Sequence, residues 1–353
     1  MALSECSKSR VLRILLLASL LLTPTGTTPA ERLPIKTYTI EDGLPRNLIR
    51  QILLDSHGYL WLVTPSGLSR FDGYEFKNYL SGDYPFLSLS WCMIEDRNGG
   101  FWLATYGNGL YRLRPEAASK TGASPFEPYP LTPTPQAAFV NKLVQDRSGN
   151  VWCATNAGLF CLDEANRESE FHQVELGLKT EEKASVVVAE LTDDLERNLW
   201  IGTNVGLLRR LPDGRVVRYR FPLSDPSVGH LFSDRDGRLW IEHSSGLIVL
   251  MPAPASSVTG DVTMRFLPGD KRASQSNGNL FLPSYPDEAS LFTESDGFVG
   301  NDITESCQSS DGHLWFGIYD KGLLRFDQVE SVPGRLPHLP ARLATVQVVP
   351  RLD

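Results

Sequence analysis

Hydrophobic runs long enough to cross a membrane are missing from this 353-residue sequence, since its N-terminal apolar core covers only residues 14–22 and a spanning helix needs about 20 residues. Blocks of five like charges are missing too, and the net charge is −8. Nucleic acids and anionic membrane surfaces both select clustered Lys and Arg. We therefore expect neither nucleic acid nor a membrane surface as a partner.

The N-terminus has the order of a secretory signal peptide. Lys8, Arg10 and Arg13 precede the short apolar core, and a small, polar stretch follows and ends at Ala30. Because this layout is typical of a cleaved export signal, we predict a signal peptide over residues 1–30. The mature chain is then expected to be periplasmic or secreted.

Cysteine is sparse, with five residues in all. Cys6 lies in the predicted signal peptide, which leaves an even number that an oxidising compartment could pair. Each of the four lies in an apolar strand pattern without a C-x-x-C spacing, so buried free thiols are the favoured interpretation. Cys153 and Cys161, on the two arms of one predicted hairpin, are the pair to test.

One sequence unit recurs along the chain. It consists of an apolar stretch, Asp-x-x-Gly, an apolar-Trp-apolar stretch, Thr and Gly-Leu, and the first copy has Asp55, Gly58 and Trp61 at its landmarks. Arg197 replaces the turn glycine in the fourth copy. The tryptophans of the later copies are Trp102, Trp152, Trp200, Trp240 and Trp315. Repetition at this spacing is the sequence sign of a repeat architecture.

The number of units depends on the last gap. Trp240 and Trp315 are 75 positions apart, whereas the other gaps are 40 to 50. Inside the gap, residues 277–282 match residues 236–241 with Phe281 in place of Trp. The count is then seven units, and six units with a long insertion is the alternative.

Each unit predicts four strands. Asp-x-x-Gly and Thr-x-x-Gly-Leu are turns, and strands with large residues on both faces must be covered on both sides. Four strands in about 40 to 45 residues are the size of a propeller blade. We predict an all-β, seven-bladed β-propeller, with six blades as the fallback. A strand over residues 36–40 is expected to complete the last blade, whose own repeat ends at a third strand, residues 323–326.

These residues carry a family resemblance. The stretch from Tyr38 through Asp55 and Trp61 to Gly73 closely resembles the two-component-regulator propeller repeat, and the resemblance extends over residues 34–328. It implies the extracytoplasmic sensor of histidine kinases, hybrid two-component systems and some diguanylate cyclases, some of which sense oligosaccharides. The family continues into an immunoglobulin-like domain, a transmembrane helix and a transmitter.

The resemblance sets the expected domain boundaries. Residues 1–30 are the signal peptide and residues 31–328 the propeller. Residues 329–353 are a short tail that resembles the truncated start of the immunoglobulin-like domain. Because the sequence has no kinase residues, the implied role is signal reception for a membrane-bound sensor kinase, with self-association as a further option.

Catalytic patterns are missing from the sequence. The six histidines are scattered, and the sequence has no His-Glu-x-x-His, Gly-x-Ser-x-Gly or phosphate loop. We therefore expect no enzyme activity, no cofactor and no metal. Two alternatives stay open: a propeller lyase or hydrolase, which converging histidines or carboxylates at the channel mouth would favour, and a protein-binding scaffold, which a large exposed apolar patch would favour.

Binding residues are expected in the loops that lead into each first strand, since such loops vary on a rigid scaffold. Aromatic faces beside amides and carboxylates suit a small polar ligand, with oligosaccharides as the leading class. The candidates are Arg46, Asn47, Tyr84, Phe86, Trp91, Phe139, Asn141, Asn301 and Asp302.

Overall fold

The computed structural model describes residues 38–114, 124–131, 134–163, 170–266, 273–274, 279–281, 286, 288–293, 298, 302–308, 312–318, 322–327 and 340–344. The chain divides into two units, Met1–Thr39 and Ile40–Asp353. Every described strand lies in the second unit.

Six sheets follow one another along the second unit, and they form a six-bladed β-propeller. In blades 1 to 3 the four strands lie in sequence order and each pairs antiparallel with the next. Blade 1 has β1 (Gln51–Leu54), β2 (Leu60–Thr64), β3 (Gly67–Phe71) and β4 (Phe76–Leu80). Blade 2 has β5 (Ser90–Glu95), β6 (Phe101–Thr105), β7 (Leu110–Leu113) and β8 (Phe126–Tyr129). Blade 3 has β9 (Val140–Gln145), β10 (Val151–Thr155), β11 (Gly158–Leu162) and β12 (His172–Gln173).

Blades 4 to 6 carry additional outer strands. Blade 4 has β13 (Val188–Asp193), β14 (Leu199–Thr203), β15 (Gly206–Arg210) and β16 (Val216–Arg220), with β20 (Val262–Thr263) outside. Blade 5 has β17 (Leu231–Ser233), β18 (Leu239–His243), β19 (Gly246–Leu250) and β24 (Glu288–Phe292), with β21 (Arg265–Phe266) outside. Blade 6 has β25 (Ile303–Gln308), β26 (Leu314–Ile318), β27 (Gly322–Asp327) and β28 (Pro340–Ala344), with β23 (Asn279–Phe281) and β22 (Ala273–Ser274) outside.

Helical segments are short in the described residues. One α-helix, α1, covers Thr180–Lys183, and 3-10 turns cover Ile40–Asp42, Pro85–Leu89, Pro135–Ala138 and Ala255–Ser257.

The Asp of each unit fixes its turn and also holds the tryptophan. Asp55 Oδ1 accepts hydrogen bonds from the backbone N–H groups of His57 and Tyr59, both at 2.9 Å. Its Oδ2 accepts one from Trp61 Nε1 at 2.8 Å. The same indole bond recurs at 2.7–2.9 Å in the pairs Asp96–Trp102, Asp146–Trp152, Asp194–Trp200 and Asp234–Trp240. The repeated turn therefore anchors the residue that packs between blades.

The turn also explains the glycine of the pattern. Gly58 and Gly237 have φ of +86° and +81°, in the left-handed region that glycine favours. Arg197 stands at the same place with φ of +65°. Blade 4 thus keeps the turn geometry with a residue that pays a steric cost for it.

Five hydrophobic clusters join the consecutive blades from 1 to 6. One contributor is the residue three positions before the turn Asp, which is at most 3% exposed in blades 2 to 5: Met93, Leu143, Leu191 and Leu231. In blade 1 the equivalent Ile52 is 60% exposed. The first blade therefore carries an apolar side chain at the surface where its counterparts are buried.

The predicted seventh unit is not a blade of its own. Phe281 belongs to β23, which pairs with β28 as an outer strand of the blade 6 sheet. Gln275 and Phe281 stand at the places of the Asp and the Trp, so this segment has neither residue of the Asp–Trp pair found in blades 1 to 5. The fallback of six blades with an insertion is confirmed.

The predicted N-terminal strand also differs. Lys36 and Thr37 lie outside the described residues, and Tyr38 and Thr39 are in no strand. Ile40 begins a 3-10 turn in which its carbonyl accepts from Gly43 N–H at 3.2 Å, while its own N–H donates to Asn47 Oδ1 at 3.1 Å. In the described residues the strand that follows β27 in the blade 6 sheet is β28, not a strand over residues 36–40. The prediction of closure by that strand is therefore wrong.

No disulfide joins Cys92, Cys153, Cys161 or Cys307 in the described residues. The first three are buried, as expected, whereas Cys307 is exposed. Cys161 pairs across the hairpin with Trp152, and Cys153 pairs with Phe160. Because neighbouring positions on a strand face opposite sides, Cys153 and Cys161 lie on opposite faces of blade 3 and cannot form the disulfide considered above.

Candidate functional site

A β-bulge recurs in the innermost strands. In β5 the register passes from Ser90 opposite Thr105 to Cys92 opposite Ala104, so Trp91 is the extra residue. Asn141 is the extra residue in β9, and β13 and β25 show the same shift. Bulges re-aim side chains and concentrate near functional sites. Two of the predicted binding residues, Trp91 and Asn141, occupy these positions.

Trp91 lies in an aromatic group at the start of its strand. Its ring is 47% exposed and lies 5.8 Å from that of Tyr106, which is 45% exposed. Tyr106 in turn lies 5.0 Å from Phe139. The Arg50 guanidinium is 5.7 Å from the Trp91 ring centroid and donates to the Ser90 carbonyl at 2.6 Å. We call Arg50, Trp91, Tyr106 and Phe139 the aromatic rim.

The rim contains two predicted residues and two that sequence reasoning missed. Trp91 and Phe139 were candidates, whereas Arg50 and Tyr106 were not. Arg50 falls one residue before β1 and Tyr106 one residue after β6. Their positions in the repeat would have shown both, because Arg50 stands at the place of Trp91 in the preceding unit.

Tyr84 and Phe86 lie in a different aromatic group. Phe86 stacks on Tyr111 with centroids 3.9 Å apart, and Tyr84 packs against Phe126 at 4.9 Å. Both pack against the cluster between blades 1 and 2. Their contacts describe packing between blades, and a role in binding stays a prediction.

Five candidates remain. Arg46 is exposed, and Asn47 accepts the Ile40 N–H described above. Asn141 Nδ2 donates to the Val188 carbonyl at 2.8 Å and so joins blade 3 to blade 4. Asn301 lies outside the described residues. Asp302 has φ of +97°, and its N–H donates to Glu242 Oε1.

A second set of side chains lines the channel directly beside the rim. In every blade, the residue two positions after the Trp of the second strand pairs with one residue of the innermost strand or of the segment that leads into it. In blades 1 to 5 this partner stands four positions before the turn Asp. We call the six partners the channel layer: Gln51, Cys92, Lys142, Glu190, His230 and Glu305.

Four members of the channel layer contact one another across blades. Lys142 Nζ lies 3.1 Å from Glu190 Oε1 and 3.9 Å from Glu305 Oε2. His230 Nδ1 lies 3.4 Å from Glu190 Oε2. Lys142 is on blade 3 and Glu305 on blade 6, three blades away in a ring of six, so this ion pair spans the channel.

Burial and charge act against each other here. Burial would raise the pKa of Glu190, but Lys142 and His230 outweigh it and hold that pKa below its ordinary value. Burial would lower the pKa of Lys142, yet Glu190 and Glu305 raise it. Burial raises the pKa of the Cys92 thiol to about 12. At neutral pH the layer therefore holds an ionised Lys142–Glu190 pair and a protonated, unreactive thiol.

Within the described ranges, no three His, Cys, Asp or Glu side chains are grouped so as to hold a metal ion. In the same part of the chain, no helix is both long and apolar enough to pass through a bilayer.

The fold and the site define the class of this protein: it is a six-bladed β-propeller with ionisable side chains across its channel. No family model matches the sequence, and no curated protein matches it either. A catalytically inactive virginiamycin B lyase from Staphylococcus aureus is similar in structure, with a TM-score of 0.51, 12% identity, and coverage of 80% of this chain and 82% of that chain. At this identity the similarity shows the fold alone.

Other solved propellers are similar at lower scores. The extracellular domain of the putative hybrid two-component system BT3049 from B. thetaiotaomicron has a TM-score of 0.49 and 18% identity, over 84% of this chain and 44% of that chain. A putative gluconolactonase has a TM-score of 0.45 and 10% identity, over 78% of this chain and 86% of that chain. The present chain thus spans less than half the length of the BT3049 domain.

Proposed function

We propose that this chain is an extracytoplasmic ligand-binding propeller that supplies the input to a two-component signalling system. Two features of the sequence support the setting: the signal-peptide layout of residues 1–30 and the resemblance of the repeats to sensor propellers of that class. The ligand is a small polar molecule, with oligosaccharides as the leading class.

The observation that carries the proposal is the contrast between two positions of the repeat. The turn Asp and the tryptophan are the same in five blades, whereas the channel layer holds five different residue types in six blades. A scaffold has no need of polar variety at its axis. Varied polar residues on an internal surface beside a repeated frame suit a specific binding site, because polar groups at fixed places give specificity.

The aromatic rim gives this site a stacking surface. Trp91 and Tyr106 are about half exposed, and Arg50 adds a cation beside them. Arg50 and Phe139 immediately precede the innermost strands β1 and β9, and Trp91 precedes Cys92 within β5. Tyr106 follows β6, which pairs with β5. A polar ring such as a sugar can stack on the indole while its hydroxyl groups reach the ionised side chains below.

A ligand screen tests the proposal. Thermal shift and calorimetry against a panel of oligosaccharides should give saturable binding, and Trp91→Ala should weaken it by at least about 10-fold, since loss of one stacking contact costs about 1.4 kcal/mol. Tyr74→Ala is the matched control, because Tyr74 is a 94% exposed aromatic in the turn between β3 and β4. Equal affinity of the two variants, or no saturable ligand in the panel, would overturn the proposed site.

The signalling role has its own test. We expect the chain to associate with the extracytoplasmic part of a membrane-bound sensor kinase, and the ligand to change that association. Co-purification of the two proteins with and without ligand measures it. A kinase whose phosphorylation level is the same with and without this chain would contradict the role in signalling while leaving the binding site intact.

A further inference from the structure

A serine replaces an aliphatic residue at one buried position of the repeat. Three positions before the turn Asp, blades 2 to 5 have Met or Leu, which pack against the preceding blade. Blade 6 has Ser306 at the equivalent place on β25. Its Oγ lies 2.7 Å from His230 Nε2. The substitution therefore places the hydroxyl of a partly exposed residue beside the one histidine of the channel layer.

His230 joins this hydroxyl to a carboxylate. Nε2 faces Ser306 Oγ, and Nδ1 faces Glu190 Oε2 at 3.4 Å. The three residues come from blades 6, 5 and 4, so no sequence motif marks them. Hydroxyl, imidazole and carboxylate in this order, with one ring nitrogen toward each partner, are the arrangement that activates a serine nucleophile.

We propose that Ser306, His230 and Glu190 form an acyl-transfer triad that hydrolyses carboxylic esters. Ser306 Oγ attacks the ester carbonyl carbon while its proton passes to His230 Nε2. The C–O bond to the alcohol then breaks, and the alcohol leaves with that proton. Water repeats the sequence on the acyl-serine: its proton goes to His230, the acyl–Oγ bond breaks, and Ser306 recovers the proton as the carboxylic acid departs.

Glu242 fixes the distance between base and nucleophile. Its carboxylate accepts from the backbone N–H of His230 at 3.0 Å and from that of Ile303 at 2.9 Å. It thereby ties the segment that carries His230 to the strand that carries Ser306. The equivalent residue in the other blades is Val, Ala or Gly. A carboxylate at this position therefore occurs only in the blade that carries His230. Glu242 is a positioning residue.

The neighbouring charges indicate the substrate. Glu190 is ionised because Lys142 lies 3.1 Å away, and it can therefore stabilise the imidazolium that forms during attack. Glu305 precedes Ser306 and is 51% exposed. Its negative charge disfavours anionic esters, so the triad takes neutral or cationic ones.

A serine-directed phosphorylating reagent tests the triad. We expect diisopropyl fluorophosphate to add one group per chain, located at Ser306 by peptide mass spectrometry. Ser306→Ala should show no adduct, and His230→Gln should react at least about 100-fold more slowly, since general-base assistance contributes that factor or more. Ser233→Ala is the matched control, because Ser233 is another partly buried serine of an innermost strand, and it should react like the natural protein.

The outcomes separate this inference from the proposed function. No adduct on the folded natural protein, or an adduct that survives in Ser306→Ala, would show that the Ser306–His230 hydrogen bond is structural only. Oligosaccharide binding by Ser306→Ala reports on the rim and not on the triad. A reactive Ser306 without any oligosaccharide ligand would support the triad and contradict the proposed ligand class.

Discussion

The turns and the channel of this propeller are built from the same repeat, yet the turn residues are the same in most blades and the channel residues differ between blades. Each of five blades places an Asp carboxylate on a tryptophan indole at 2.7–2.9 Å. A few residues earlier in the same strands, the channel layer changes from Gln to Cys, Lys, Glu and His. The first set repeats because every seam between blades needs the same packing, and the second varies because the channel has a separate task.

The difference also separates two kinds of polar burial. The turn Asp accepts hydrogen bonds from its own blade, so this polar burial is satisfied within each blade. Lys142, Glu190 and His230 satisfy one another across three blades. A change in the turns should therefore damage stability locally, whereas a change in the channel layer should leave a charge without its partner.

Removal of a seam tryptophan is expected to have the largest effect. Trp200 is fully buried and packs in the cluster between blades 4 and 5, so Trp200→Ala should lower the free energy of unfolding by about 3–5 kcal/mol. Urea denaturation measures it. Trp91→Ala, at the exposed rim, should cost less than about 1 kcal/mol. A similar loss of unfolding free energy in both variants would show that Trp91 packs like the tryptophans between blades and is not a separate surface residue.

Loss of the channel cation is expected to come next. Lys142→Met leaves Glu190 buried without its lysine and should cost about 3 kcal/mol at pH 7. Lys183→Met is the control, since Lys183 forms an exposed ion pair with Glu175 and such pairs contribute little. Urea denaturation of both variants gives the comparison.

The pH dependence of this loss has a definite sign. In the natural protein the folded pKa of Glu190 is lowered, so its contribution is present above the unfolded value of about 4.3 and is lost as pH falls through the lower folded pKa. Without Lys142, burial raises that pKa, and protonation relieves the cost. The stability gap between Lys142→Met and the natural protein should therefore begin to narrow above about pH 4.3, as pH falls through the raised pKa of Glu190 in the variant, and should keep narrowing until pH passes the lowered pKa of the natural protein. A gap independent of pH would contradict the ion pair.

The smallest expected effect is an increase in stability. Arg197 has φ of +65° at a turn position that is glycine in blades 1, 2, 3 and 5. Arg197→Gly should raise the free energy of unfolding by about 0.5–1 kcal/mol, because the left-handed strain of a side chain exceeds the entropy cost of glycine there. Gly237→Arg should do the reverse in blade 5. Thermal and urea unfolding measure both changes, and stability changes of the same sign in the two variants would contradict the prediction.

Much of the fold follows from the repeat. The sequence pattern predicts the Asp turns, the Trp strands and six of the units. The turn glycines have the positive φ that the pattern predicts. Residues 277–282 match the Trp strand in sequence, but Gln275 and Phe281 stand at the places of the Asp and the Trp. A strand match without either residue of that pair does not identify a separate blade.

The site was only partly predictable. The loop pattern predicts Trp91 and Phe139, but Arg50 and Tyr106 complete the rim through contacts between residues far apart in sequence. The channel layer could have been found by comparing the units position by position. Its pairing could not, because Lys142 and Glu305 meet across blades that are not neighbours.

The sequence by itself determined the repeat, the strand pattern and the turn chemistry, since these depend on residues within a few positions of one another. The tertiary structure decided how many blades form and which outer strands join them. It also decided the Ser306–His230–Glu190 arrangement. The physical reason is that closure into a ring brings equivalent positions of different blades to one axis, where side chains separated by tens of residues come within hydrogen-bond distance.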